Sequence, residues 1–148
     1  MKTIEGDLTI RDKKIALVAS RFNLFVVEHL INGSKDTLLK HGAEETDIEL
    51  FYVPGAFEIP GMVNQILSNK NPDLIITLGV LIKGETNHFE YISESVSHSI
   101  SQLTISSDIP IIFGVITALN YEQASERALI SKKKLVTNEE FKKEVSKL

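Results

Sequence analysis

Apolar residues in this chain fall into short continuous runs, each broken by polar or glycine-bearing residues and followed by apolar positions at helical spacing. The first run is Lys14 to Ala19. It ends at Ser20-Arg21-Phe22-Asn23, and a helical pattern follows through Val27, Leu30, Ile31, Ser34 and Leu38 to a stop at Gly42. Ile48 to Val53 repeats the plan and breaks at Pro54-Gly55. The next helix keeps i, i+3, i+4, i+7, i+8 spacing in Ile59, Met62, Val63, Ile66 and Leu67. Pro60 is tolerated in its first turn, where the missing N–H has no helical partner. A third unit runs from Leu74 to Leu78, through a loop holding His88, to a helix with Phe89, Ile92, Val96, Ile100 and Leu103 on its apolar face. Ile111 to Ile116 opens the fourth. Asn120 caps the helix that follows, with Gln123 reaching back as in a capping box, and Thr137 with Glu140 offers the same start for a short last helix.

Strands alternating with helices predict an α/β fold with a parallel sheet covered on both faces, because right-handed crossovers place the helices there. The runs are apolar at nearly every position, as strands buried on both faces should be. In such sheets ligands bind beyond the carboxyl ends of the strands. Arg21-Phe22-Asn23, Gly55-Ala56-Phe57-Glu58, the His88 loop and Phe113-Gly114 are therefore expected to line one cleft. Thr3 to Ile10 precedes the first covered strand and reads as a short edge strand, which in an oligomer would add to a neighbour's sheet.

With 148 residues and 43% apolar content, residues 1–148 are read as a single domain. The net charge of −4 leaves Lys132-Lys133-Lys134 as the only basic cluster, too short for a nucleic-acid surface. The absence of cysteine removes disulfides, thiolate metal sites and a cysteine nucleophile. No segment has the length of a signal-peptide core or a membrane span, so the expectation is a cytoplasmic protein without a membrane partner.

Candidate chemistry gathers around Gly84-Glu85-Thr86-Asn87-His88. Backbone N–H groups at a helix start favour a phosphate, and an imidazole beside them can move protons near neutral pH. Glu85 would repel an anion through its side chain, so only its N–H is expected to face inward. Lys83 either attracts the anion or is simply exposed. Phe22 and Phe57 are suited to a flat heterocycle, or to packing. Glu58 either accepts hydrogen bonds from a ligand or answers the helix dipole. Asn23 binds a ligand or caps its helix, and capping fits its residue type better. Arg127 shares a helix face with Gln123, and its guanidinium suits a phosphate or a salt bridge. His29, His41 and His98 have no carboxylates at metal-ligand spacing and are read as structural; no metal is expected. Without a Gly-x-Gly-x-x-Gly, a Walker loop or a Gly-x-Ser-x-Gly elbow, dinucleotides, nucleoside triphosphates and serine acyl transfer have no support.

Arg21-Phe22-Asn23, Val53 to Pro60, Gly79 to Tyr91, Pro110 to Val115 and Glu122 to Ala128, in this order, resemble the 6,7-dimethyl-8-ribityllumazine synthase family. The resemblance implies a flavodoxin-like three-layer sandwich with strand order 2-1-3-4. It implies condensation of 5-amino-6-(D-ribitylamino)uracil with 3,4-dihydroxy-2-butanone 4-phosphate to the lumazine, phosphate and water, the penultimate step of riboflavin synthesis, without a cofactor. Carried over, Phe22 stacks on the pyrimidine; Ala56, Phe57 and Glu58 hold the ring and ribityl chain. Val80, Leu81 and Ile82 contact the same substrate by backbone and side chain, and Phe113 closes the pocket. Glu85, Thr86 and Arg127 bind the phosphate and His88 transfers protons; Asn23, Gly55, Lys83 and Gly84 are further candidates. After Arg127 the chain departs from the family, leaving open whether the phosphate-side lysine is one of Lys132 to Lys134, with Lys134 as the candidate, or is missing. The resemblance also implies a homo-oligomer with shared sites. The tail lacks the glycine kink of sixty-subunit shells and so favours a pentamer, or a pair of pentamers forming a decamer, over such a shell, and association with riboflavin synthase is a further partnership. A riboflavin synthase paralogue of archaeal type and a non-catalytic lumazine or flavin carrier are the alternatives.

Overall fold

The computed structural model describes residues 1–84 and 87–128. Its elements alternate as β1 (Ile15–Ser20), α1 (Leu24–Lys40), β2 (Ile48–Val53), α2 (Ile59–Asn69), β3 (Leu74–Ile82), α3 (His88–Ser106), β4 (Ile111–Ala118) and α4 (Tyr121–Arg127). All pairings are parallel and the strand order is β2-β1-β3-β4, as expected for a flavodoxin-like sandwich. The helix predicted from Thr137 and Glu140 lies outside the described residues.

Alternation along β1 sends its side chains into two separate cores. Ile15, Leu17 and Ala19 pack with Val26, Val27 and Ile31 of α1 and Ala124 of α4. Ala16 and Val18 pack with Val63 of α2 and Val96 and Ile100 of α3. Each fully buried Val or Ile contributes about 1.5–3 kcal/mol, so the two layers lock the sheet between helix pairs. Of the outer strands, β2 is only partly covered, with Glu49 and Leu50 exposed. An edge strand lacks one neighbour, so its apolar run does not guarantee burial on both faces.

One expected strand does not form within the single chain, and one expectation is corrected. Residues 3–10 form no strand in the single chain; among the described residues their backbone ties are the Ile10 N–H to the His41 carbonyl at 2.9 Å and the Lys13 N–H to the Ile10 carbonyl at 3.2 Å. A strand needs a partner ladder, and among the described residues none of this chain's own strands offers one there. β4 also runs on to Ala118, so Phe113 and Gly114 lie near its middle instead of at the carboxyl edge.

At the amino edge, Lys14 pairs with the buried Asp47, whose other oxygen accepts the Glu44 N–H at 3.2 Å. The Lys14 hydrogen bond, followed by the Glu44 N–H, holds the Asp47 carboxyl below its ordinary pKa. The stabilising contribution of this group is complete above the unfolded-state value of about 3.9 and is lost as pH falls through the depressed native value. Asp47→Asn is therefore expected to flatten the acid limb of stability. Urea midpoints measured from about pH 5 down to pH 2 should fall more steeply in the wild type than in the variant; parallel curves would remove Asp47 from the acid response.

Candidate functional site

The carboxyl edge is assembled by bonds that continue the sheet beyond its strands. After β1, the Arg21 N–H reaches the Val53 carbonyl at 2.8 Å and the Phe22 N–H reaches Pro54 at 3.0 Å. The turn bearing Phe22 is thereby drawn against the Pro54-Gly55 turn. The Arg21 guanidinium lies 4.5 Å from the Tyr52 ring centre, a cation–π contact that braces the same junction.

Asn23 takes φ 60° and ψ 39°, a left-handed conformation that asparagine tolerates better than most residues. A capping side chain needs extended backbone at this position. From the left-handed region the Asn23 amide makes no cap bond, so the capping expectation is not met. Its Nδ2 instead donates to the Val80 carbonyl at 3.2 Å, tying the β1–α1 turn to the end of β3.

These ties shape a cleft of about 350 Å³ lined by Phe22, Asn23, Ile82, Lys83, Gly84, Leu119, Asn120 and Tyr121. Phe22 is 70% exposed there, a large apolar cost unless something covers the ring. The sequence pattern misses the last three residues as site residues. Their signal is the end of β4, hidden because Thr117-Ala118 does not read as an apolar continuation. Asn120 caps α4 as expected, accepting the Gln123 N–H at 2.8 Å, but the Gln123 side chain accepts the Leu119 N–H at 2.7 Å, one residue before the cap.

Beside this cleft, Phe57 (59% exposed) and Glu58 line an open groove with Tyr52, Pro54 and Met62. Glu58 Oε2 accepts the Gly55 N–H at 2.9 Å, which closes the turn over Ala56–Glu58 and leaves its second oxygen for other partners. Ala56 is buried beneath, and a side chain on Gly79 would meet Ala56, Ile59 and Ser20 at 3.1–3.7 Å, so β3 approaches this turn closely. The Val80 side chain is 1% exposed and belongs to the α1 core, so it is removed from any ligand contact; Leu81 and Ile82 are half-buried.

His88 is the first residue of α3 and is exposed at the same edge. Lys83 is exposed and 3.5 Å from Glu90 in the first turn of α3, so part of its charge is already answered. Glu85, Thr86 and Lys134 lie outside the described residues.

Phe113 and Arg127 stand apart. Phe113 lines a separate groove of about 320 Å³ with Ser97, Ile100, Ser101, Thr104, Ile105 and Ile111. Arg127 ends α4, on the face of the sheet opposite α3, and donates to the Thr117 carbonyl. The single cleft expected for all four loops is thus split. Among the described residues no cluster of three or more His, Asp or Glu could hold a metal ion, and no helix is long and apolar enough to cross a membrane.

Residues 12–141 match the family model of 6,7-dimethyl-8-ribityllumazine synthase. Curated proteins of that name from two strains of Clostridium kluyveri are each 45% identical over 128 residues, covering 86% of this chain and 83% of theirs. With Phe22, Gly55, Phe57 and His88 of the motifs gathered along one sheet edge, and a match over most of its length, the chain belongs to the 6,7-dimethyl-8-ribityllumazine synthase family.

Proposed function

We propose that the chain condenses 5-amino-6-(D-ribitylamino)uracil with 3,4-dihydroxy-2-butanone 4-phosphate, releasing phosphate and water, in riboflavin synthesis. The observation that carries this reading is the family match over residues 12–141, which spans every candidate site residue from Phe22 to Lys134. Phe22 stacks on the pyrimidine, with Ala56, Phe57 and Glu58 along the ring and ribityl chain and the backbone of residues 80–82 against its polar edge. His88 moves protons during imine formation, phosphate elimination and ring closure. Holding two substrates together removes much of the entropic barrier, so positioning carries a large share of the rate.

Phosphate falls to the backbone of Glu85 and Thr86 and to the Arg127 guanidinium. Since α3 and α4 flank opposite faces of the sheet, Arg127 serves the site of a neighbouring copy, and Phe113, near the middle of β4 and away from the edge that carries Phe22, does the same. The working unit is then a homo-oligomer with shared sites, read as a cytoplasmic pentamer of single-domain chains with Lys134 as the candidate phosphate-side lysine.

The test is to mix the purified protein with both substrates and follow the lumazine by absorbance and fluorescence above the uncatalysed rate. Turnover requiring both substrates is expected. No rate above background, with ribityl ligands still bound, would replace the synthase by a carrier.

A further inference from the structure

Thr77 is the one hydroxyl in the otherwise apolar stretch Leu74 to Val80, and it is fully buried. Packing alone would be served by valine, which has nearly the same shape. The hydroxyl is fully used. It donates to the Ile112 carbonyl at 2.9 Å and accepts the Gly114 N–H at 3.3 Å. Those are the peptide groups on either side of Phe113, the residue that pairs with Thr77 across the ladder. Phe113 itself is 47% exposed over the α3 groove, so its own packing does not hold the ring.

We infer that Thr77 is a positioning residue for Phe113: its hydroxyl clamps both flanking peptide planes and so fixes the angle at which the ring projects from β4 toward the pyrimidine site of a neighbouring copy. The assignment rests on the shared-site reading above. Without the hydroxyl, the Ile112 carbonyl and the Gly114 N–H keep only their ladder bonds to the Thr77 backbone, and the peptides flanking Phe113 lose the second tie that fixes their tilt. Aromatic contacts depend on offset and tilt, so a small rotation at Phe113 weakens the hold on a flat ring.

The experiment measures KM for each substrate in wild type, Thr77→Val, Thr77→Ser and Phe113→Leu, with particle size by sedimentation. Thr77→Val is expected to raise KM for the pyrimidine roughly tenfold while leaving KM for the butanone phosphate and the particle size unchanged. Thr77→Ser, which restores the hydroxyl, should stay within about twofold of wild type, and Thr77→Val should add nothing once Phe113 is leucine. Thr77→Ala reads the same quantities should the valine variant fail to assemble. A wild-type KM in the hydroxyl-free variant, equal shifts for both substrates, or an undiminished effect in the Phe113→Leu background overturns the assignment. Wild type without turnover overturns the synthase reading itself, and this assignment with it, before any variant is compared.

Discussion

Arg127→Ala is expected to lower kcat/KM for the butanone phosphate about a hundredfold, mostly through KM, with KM for the pyrimidine little changed. The guanidinium has five N–H donors, and one of its nitrogens, Nη1, is engaged with the Thr117 carbonyl. That bond to a strand holds the fork in place before any ligand arrives, so binding a phosphate through the remaining donors costs little further ordering. Alanine removes both the charge and the fork. Lysine in its place should recover only part of the loss, because an ammonium cannot hold the carbonyl and two phosphate oxygens in one plane. Steady-state kinetics with each substrate varied separately decide the matter. An unchanged KM for the butanone phosphate would take Arg127 out of the phosphate site.

Gly114→Ala is expected to destabilise the fold by about 3 kcal/mol or to prevent folding. A Cβ there would stand 2.4 Å from the Thr77 carbonyl oxygen and 3.0 Å from Leu78 Cδ2. The first of these is backbone in the middle of β3 and cannot step aside as a side-chain tip would. Gly33→Ala is the natural control, since its Cβ would meet nothing within 4 Å inside α1. That change should stabilise by about 0.5–1 kcal/mol, because alanine restricts the unfolded chain and favours the helix. Urea unfolding of the two variants should therefore move in opposite directions, and a Gly114→Ala variant as stable as wild type would show that β4 can shift away from β3 at no cost.

The strands β1 and β2 are legible in the sequence because a six-residue segment with five apolar positions, bounded by turn residues, suits little besides a strand in a covered sheet, and the helices because their apolar spacing holds over several turns. The placement of Phe22 and His88 at the carboxyl edge follows from strand direction alone. Three things do not follow. β4 outlasts its obvious apolar run by Thr117 and Ala118, so the pattern puts Phe113-Gly114 at an edge they do not reach. Asn23 has a capping residue's chemistry but a left-handed backbone, which periodicity does not encode. The bonds from Asn23 to Val80 and from Thr77 to Ile112 join residues 57 and 35 positions apart, and such partnerships depend on register, which local pattern leaves open.

The placement of His88 and Arg127 on helices that flank opposite faces of the sheet has a genetic consequence. If each reaction centre draws the histidine from one copy and the arginine from the next, a chain lacking one and a chain lacking the other are complementary, although each alone is crippled. Co-assembled at random in equal amounts, they rebuild intact centres at about a quarter of the positions around a closed ring. Two loss-of-function alleles could thus rescue one another, whereas a copy lacking both residues spoils two centres instead of one.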